Sequence, residues 1–330
     1  MRYLLLFILL ISSALAHTNS ITFFKSNYVS RSINLEKNVL RFGFDFGFKN
    51  TDELYNTQKK LVVPSASQSA QTIGLHFITE YGASNNLSFG LDIPLLYRTF
   101  DDGTDSTSAY GLGDARAFSF FQIYGLSDPL LSTGIRLAIK FPSGKTASFD
   151  EANNKATPLG NGTIEVEAGP EVKIELVKNL FAFRLGGTYT LKQAIVAEYA
   201  TVSVTDASGT TVIGNNEIDF GDALKAFTEF GMQWGRSFYV GVDSQIIYNL
   251  KTKVGGSTIT YDSSDPLAKS STGYMLELGP LARLQLADDV EFSISNRFPI
   301  YGKTYPVVDF AIVNDFIGSI NLLAGLSFYF

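Results

Sequence analysis

Cysteine is absent from this chain and histidine occurs twice, so the chemistry open to it rests on carboxylates, guanidinium groups, amines and hydroxyls. Without cysteine there is no disulfide, no thiolate metal site and no lipid attachment through sulfur. His76 has the right chemistry for a general base, but it stands in the polar register of its segment with no serine placed to be activated by it. A lone histidine in that setting reads as a hydrogen-bonding residue. Carboxylates are plentiful, yet no two stand apart from their neighbours as an acid/base couple. Asp101-Asp102-Gly103-Thr104-Asp105 has the acidity of a calcium loop without its oxygen spacing or terminal glutamate, and reads as a solvated loop tip. Gly111-Leu112-Gly113 precedes a strand and not a helix, so a phosphate cradle fails on context. Neither a cofactor nor a metal is implied, and a net charge of −6 argues against nucleic acid as a partner.

The chain does hold a recurring set of charges: Arg41, Asp45, His76, Glu80, Asp92, Arg136, Lys140, Glu165, Glu167, Glu171, Lys173, Glu175, Arg184, Lys225, Glu229, Asp243, Glu277, Arg283, Glu291 and Arg297. All fall opposite apolar rows in segments that alternate with a period of two. Gathered on one surface they would line a hydrated pathway and bias it by charge. The acidic ladder Glu165, Glu167, Glu171 and Glu175 would then favour cations or polar neutral solutes locally. The alternative is that these groups pair across the lumen and brace it, leaving little or no open pore.

The elements that would position these charges are strands. In Thr163–Leu176, Ile164, Val166, Ala168, Val172, Ile174 and Leu176 alternate with Glu165, Glu167, Gly169, Glu171, Lys173 and Glu175. Period-two alternation of this kind marks a strand with two unlike faces. The pattern recurs over 37–49, 71–82, 87–98, 131–141, 180–191, 222–234, 238–251, 273–285, 290–300 and 316–330. Segment 114–124 has two faces of similar polarity, so its register stays open. About twelve strands result. Tight turns at 83–86, 127–129, 178–179, 235–237 and 288–289 alternate with long connections at about 50–70, 99–113, 143–162, 192–221, 252–272 and 301–315. Strict short–long alternation is the habit of outer-membrane barrels, with turns in the periplasm and loops outside. The loop around Val202–Ile213 is expected to carry a small hairpin of its own.

Composition agrees with a membrane setting: 45% hydrophobic, 13% aromatic and only 18% charged, below the usual quarter for a soluble protein. Arg2, the apolar run Leu4–Ile11 and Ala14-Leu15-Ala16 read as a secretory signal, residues 1–16, cleaved before His17. Residues 17–36 then form a short periplasmic segment that enters the lumen as a gate in one reading, and 37–330 form the barrel. That run is too short to cross a bilayer as a helix, which leaves the closed barrel as the spanning form. A barrel of about twelve strands is too wide for side chains to fill, unlike one of about eight. The polar face is crowded with glycines and charges of both signs, and aromatics such as Tyr81, Tyr97, Phe141, Tyr189, Trp234, Phe238, Tyr248, Tyr274 and Phe298 sit near strand ends, as in interfacial girdles.

Three stretches together resemble the barrel family named for the meta-pathway (MetA-pathway) of phenol degradation. Gly111-Leu112-Gly113-Asp114 is similar to that family's Gly-x-Gly-Asp at a strand start. Lys140-Phe141-Pro142-Ser143-Gly144-Lys145 is similar to its Pro-Thr/Ser-Gly at a strand end, and Leu159-Gly160-Asn161-Gly162-Thr163 to its Leu-Gly-x-Gly-Ser/Thr opening the next strand. The matched core covers about 110–176. The resemblance implies an outer-membrane transporter of small, aromatic or hydrophobic compounds. The last residues, Leu326-Ser327-Phe328-Tyr329-Phe330, look like the aromatic-ended strand that barrel-assembly machinery recognises.

The sequence therefore leads to an all-β transmembrane antiparallel barrel in the bacterial outer membrane, with lipid and lipopolysaccharide around it and an unknown small-molecule solute as cargo. A passive channel or transporter is the expected function. A structural or surface-interaction barrel with a closed lumen is the alternative, and a lipid-modifying enzyme a more distant one, since no serine–histidine pair falls on the lipid-facing surface.

Overall fold

Alternating side chains place every second residue on the same face of a strand, so these sequences can satisfy two different environments at once. In the computed structural model they do so as a closed barrel of twelve antiparallel strands. The structure describes residues 34–51, 69–101, 106–125, 130–144, 159–160, 162–177, 180–196, 221–235, 237–250, 273–303 and 320–330, with short strand pieces at 54–55, 61–62, 149–150, 154–155, 204–205, 211–212, 217–219, 253–254 and 257–258. The signal sequence expected at 1–16 lies outside the described residues, as does most of the segment 17–36.

The strands are β1 (Leu40–Thr51), β2 (Ser69–Ser84), β3 (Leu87–Asp101), β4 in two halves (Ser106–Leu112 and Arg116–Tyr124), β5 (Leu131–Lys140), β6 (Glu165–Val177), β7 (Phe181–Lys192), β8 (Ala223–Trp234), β9 (Phe238–Asn249), β10 (Gly273–Ala287), β11 (Val290–Lys303) and β12 (Ile320–Tyr329). Each pairs with its neighbours in sequence, and β1 closes the ring on β12 from Arg41↔Tyr329 to Asn50↔Ile320. Closure removes the open edges, so backbone donors and acceptors are met within the wall, as a lipid environment requires. One end carries tight turns: Asn85-Asn86 between the paired Ser84 and Leu87, Gly235 at φ 66° between Trp234 and Phe238, and Asp288-Asp289 between Ala287 and Val290. Both ends of the barrel chain lie there too, so this is the periplasmic end.

Outside, Phe44, Phe77, Phe89, Leu91, Ile93 and Leu95 are each at least 39% exposed, which only a lipid surface makes favourable. Among the described residues no charged side chain takes an outward position in the middle of a strand. Thr228 and Ser244 fall on that face and satisfy one another by a hydrogen bond of 2.7 Å. Tyr97, Tyr189, Tyr248 and Phe141 rim the loop end, Trp234 and Phe238 the turn end, the two belts expected of interfacial aromatics.

One expected loop is largely strand. The connection placed at about 99–113 reduces to 102–105, because β3 continues to Asp101 and Ser106–Leu112 pairs back onto it, Phe100↔Thr107 to Leu95↔Leu112. The added strand carries only Tyr110 and Leu112 as large apolar side chains, so its alternation is faint in sequence. The register left open for 114–124 is settled by Asp92↔Arg116 and Leu87↔Phe121: Arg116, Phe118, Phe120 and Gln122 point inward and Phe121 and Ile123 outward. The hairpin expected near Val202–Ile213 pairs Val204 with Val212 and Thr205 with Thr211.

Candidate functional site: the barrel lumen

Inside the barrel, charged side chains of neighbouring strands meet at hydrogen-bond distance, because inward positions of paired strands stand side by side. Glu171 on β6 is 1% exposed; it accepts from Arg136 Nη2 of β5 at 3.1 Å and Arg184 Nε of β7 at 2.6 Å. Arg184 also reaches Glu229 of β8 at 4.0 Å and lies over the Phe227 ring, 5.6 Å from its centroid. Arg283 of β10 grips Glu229 with both terminal nitrogens, at 3.1 and 3.2 Å. Buried Tyr239 of β9 donates its hydroxyl to the same carboxylate at 3.0 Å. Arg136, Glu171, Arg184, Glu229 and Arg283 thus form one continuous chain of opposite charges along the inner wall from β5 to β10.

Shorter bridges complete the lining. Arg297 of β11 donates to Asp243 of β9 at 2.6 Å, and Gln245 to Glu277 at 3.1 Å. Arg41 pairs with Glu80 at 3.2 Å, and Ser88 also donates to Glu80. His76 meets Asp92 at 3.0 Å, with Asp45 directly across the β1–β2 ladder. Lys140 holds Glu165 at 2.7 Å, and Arg116 holds Glu167 at 2.5 Å. Lys173 and Glu175 are buried on the same inward face of β6. The paired charges among those singled out in the sequence stand side by side on this wall. The acidic ladder is not bare: Glu165, Glu167 and Glu171 each carry a basic partner from a nearby strand of the same wall.

Two cavities open along the lumen, of about 310 and 420 Å³. Arg116, Arg136, Arg184, Arg283 and Asp45 line both, so this cluster marks the zone where they meet. The larger cavity lies at the turn end and is bounded by Asn34, Leu35 and Glu36. That strap is tied to the end of β2 and the turn after it by Asn34 Nδ2 donating to Asn85 O at 3.2 Å, Asn38 N to Gly82 O at 2.7 Å and Gly82 N to Val39 O at 2.9 Å. Leu35 is the strap's buried apolar side chain.

The wall itself is interrupted at Gly113–Ala115 between the halves of β4. Ser143 Oγ accepts from Ala115 N at 2.7 Å and donates to Gly113 O at 2.9 Å, so this hydroxyl replaces the missing ladder. Asp114, 7% exposed, accepts from Gly144 N at 3.0 Å and faces Lys140 Nζ at 3.5 Å. A Cβ at Gly160 would collide with the Asp114 carboxylate, so only glycine allows that approach. The three sequence stretches that carried the family resemblance, distant in the chain, thus converge on one joint at the loop-side rim.

Sequence reasoning missed Arg116, whose strand register was open, and the inward aromatics Phe118, Phe120 and Phe227. Each ring covers a glycine on the neighbouring strand. A Cβ at Gly90 would stand 2.5 Å from Phe118 Cζ, and one at Gly134 2.5 Å from Phe120 Cζ. Inward glycines beside a strand of undecided register were the available signal.

No family model matches the chain, and no curated protein matches it. Solved structures do. The COG4313 outer membrane channel from Pseudomonas putida F1 is similar with a TM-score of 0.65 and 11% identity, over 95% of this chain and 100% of that one. The beta domain of the Bordetella autotransporter Brka gives 0.48 and 11%, over 89% and 100%. At 11% identity, what this chain shares with the COG4313 channel is the barrel fold alone. With its apolar outer belt and aromatic rims, the chain is an outer-membrane β-barrel.

Proposed function

We propose that this outer-membrane barrel is a channel or passive transporter that carries small solutes through its charged lumen. The observation that carries this reading is the pair of polar cavities strung along the barrel and joined at the Arg116, Arg136, Arg184 and Arg283 cluster. A barrel built only as a scaffold has no need of open, polar-lined volume at its centre. The similar fold of a protein described as an outer membrane channel supports the reading, as does the convergence of the three family-like stretches on one joint. The sequence resemblance adds to the proposal a membership of the meta-pathway family and a cargo of small aromatic or hydrophobic compounds.

The protein acts without catalysis in this reading, since His76 is engaged with Asp92 inside the barrel and away from the lipid face. Its partners are outer-membrane lipids and lipopolysaccharide, with the barrel-assembly machinery acting on the aromatic last strand. A closed structural barrel is the second reading, favoured by the cross-strand ion pairs and by the strap at Asn34–Val39 at the turn-end mouth.

The experiment is single-channel recording of refolded protein in a planar lipid bilayer, with folding confirmed by heat-modifiable gel mobility. Discrete, salt-dependent steps are expected. Folded protein that stays silent at every voltage refutes the open channel and leaves the closed barrel.

A further inference from the structure

The ion pairs of the lumen share a polarity that their net charge conceals. In nine pairs of an arginine or lysine with a carboxylate along the wall, the base is the more exposed member. Arg136 is 32% exposed against 1% for Glu171, and Arg297 24% against 8% for Asp243. The cause is stem length. A carboxylate on one or two methylenes stays against the wall, whereas a guanidinium on three reaches over it into the water. A solute in the lumen meets the cations first, although the opposing charges nearly balance.

Two further observations point the same way. The smaller cavity is lined by six basic and four acidic described side chains. One of the six, Lys225, has no hydrogen bond or ion pair with any described residue, and it lines this cavity together with Arg116, Arg136, Arg297 and Glu167. An amine left this way has capacity for a visiting anion. The larger cavity sets Ile78, Phe118 and Phe120 beside Arg116 and Arg136, an apolar wall against two guanidinium groups. Guanidinium forks match carboxylates, and the aromatic wall matches an apolar body.

From these we infer that the lumen is anion-selective and that its cargo is a small organic carboxylate with an apolar body, its carboxylate passing from Arg116 and Arg136 to Lys225. The inference rests on the channel reading and names that channel's substrate class. A lumen potential of about one kT, the low end of what arranged charges produce, enriches anions over cations roughly sevenfold.

The test is the reversal potential of the protein in a planar bilayer under a potassium chloride gradient, with benzoate as the organic probe. Chloride preference of several-fold is expected, cut sharply by Lys225→Glu, together with interruption of the current by benzoate. Lys225 anchors no carboxylate through a hydrogen bond, so its replacement leaves the folded ladder in place; gel mobility checks this. Steps with potassium preference, or selectivity untouched by Lys225→Glu, overturn the inference while leaving the channel standing. If no current flows, the channel reading fails, and calorimetric titration of benzoate into detergent-folded protein decides the site: binding weakened in Lys225→Gln upholds it, and none up to ~10 mM overturns it.

Discussion

Glu171 offers the sharpest energetic test of the lumen, because it is 1% exposed and held by two cations from opposite sides. Removing one of them, in Arg184→Ala or Arg136→Ala, deletes a hydrogen bond to a charged group and costs about 1.5–3 kcal/mol. Arg184→Ala belongs at the upper end, since Arg184 also faces Glu229 and the Phe227 ring. Removing both leaves an uncompensated buried carboxylate, for which about 3–5 kcal/mol is expected. Adding Glu171→Gln to the double variant removes that charge and should restore all but about 1–2 kcal/mol. The assay is reversible denaturant unfolding in lipid vesicles, read by the fluorescence of the only tryptophan, Trp234, which is 69% exposed on the lipid face beside a turn. The reasoning is refuted if the double variant loses less than about 1 kcal/mol, the value of a solvated surface pair, or if Glu171→Gln brings no recovery.

On the lipid face, Thr228→Val or Ser244→Ala alone should cost about 1 kcal/mol by stranding one hydroxyl, and the double variant should return close to the parent; additive losses would deny their hydrogen bond any role. At the wall joint, Asp114→Ala releases Gly144 N while Lys140 keeps Glu165, so limited proteolysis should cut faster within 141–162 while the barrel itself loses less than about 2 kcal/mol. Gly160→Val should give the same cleavage pattern, and an unchanged digest in both would rule the joint out as an anchor. At the turn end, Leu35→Ser or deletion of residues 17–36 should raise single-channel conductance by unsealing the mouth; equal conductance with and without the strap would show that it gates nothing.

Strand number, the inward or outward sense of most side chains and the membrane setting are legible in the sequence because a strand's two faces have a fixed period, and lipid on one side tolerates no charge in mid-strand. Glu165 and Glu171 needed no structure to be placed on the inner face. The fourth strand was harder, since Phe118 and Phe120 face inward among polar neighbours while Phe121 and Ile123 face lipid, and a one-residue slip would exchange them. Only pairing of Arg116 with Asp92 fixed the choice. The lumen's electrical character was likewise beyond the linear pattern. A run of glutamates on one strand looks acidic until the barrel closes and sets Lys140, Arg116, Arg136 and Arg184 over it. Which member of each pair faces the water then depends on stem length and on the strands alongside, and those neighbours are assigned by closure of the ring, not by order along the chain.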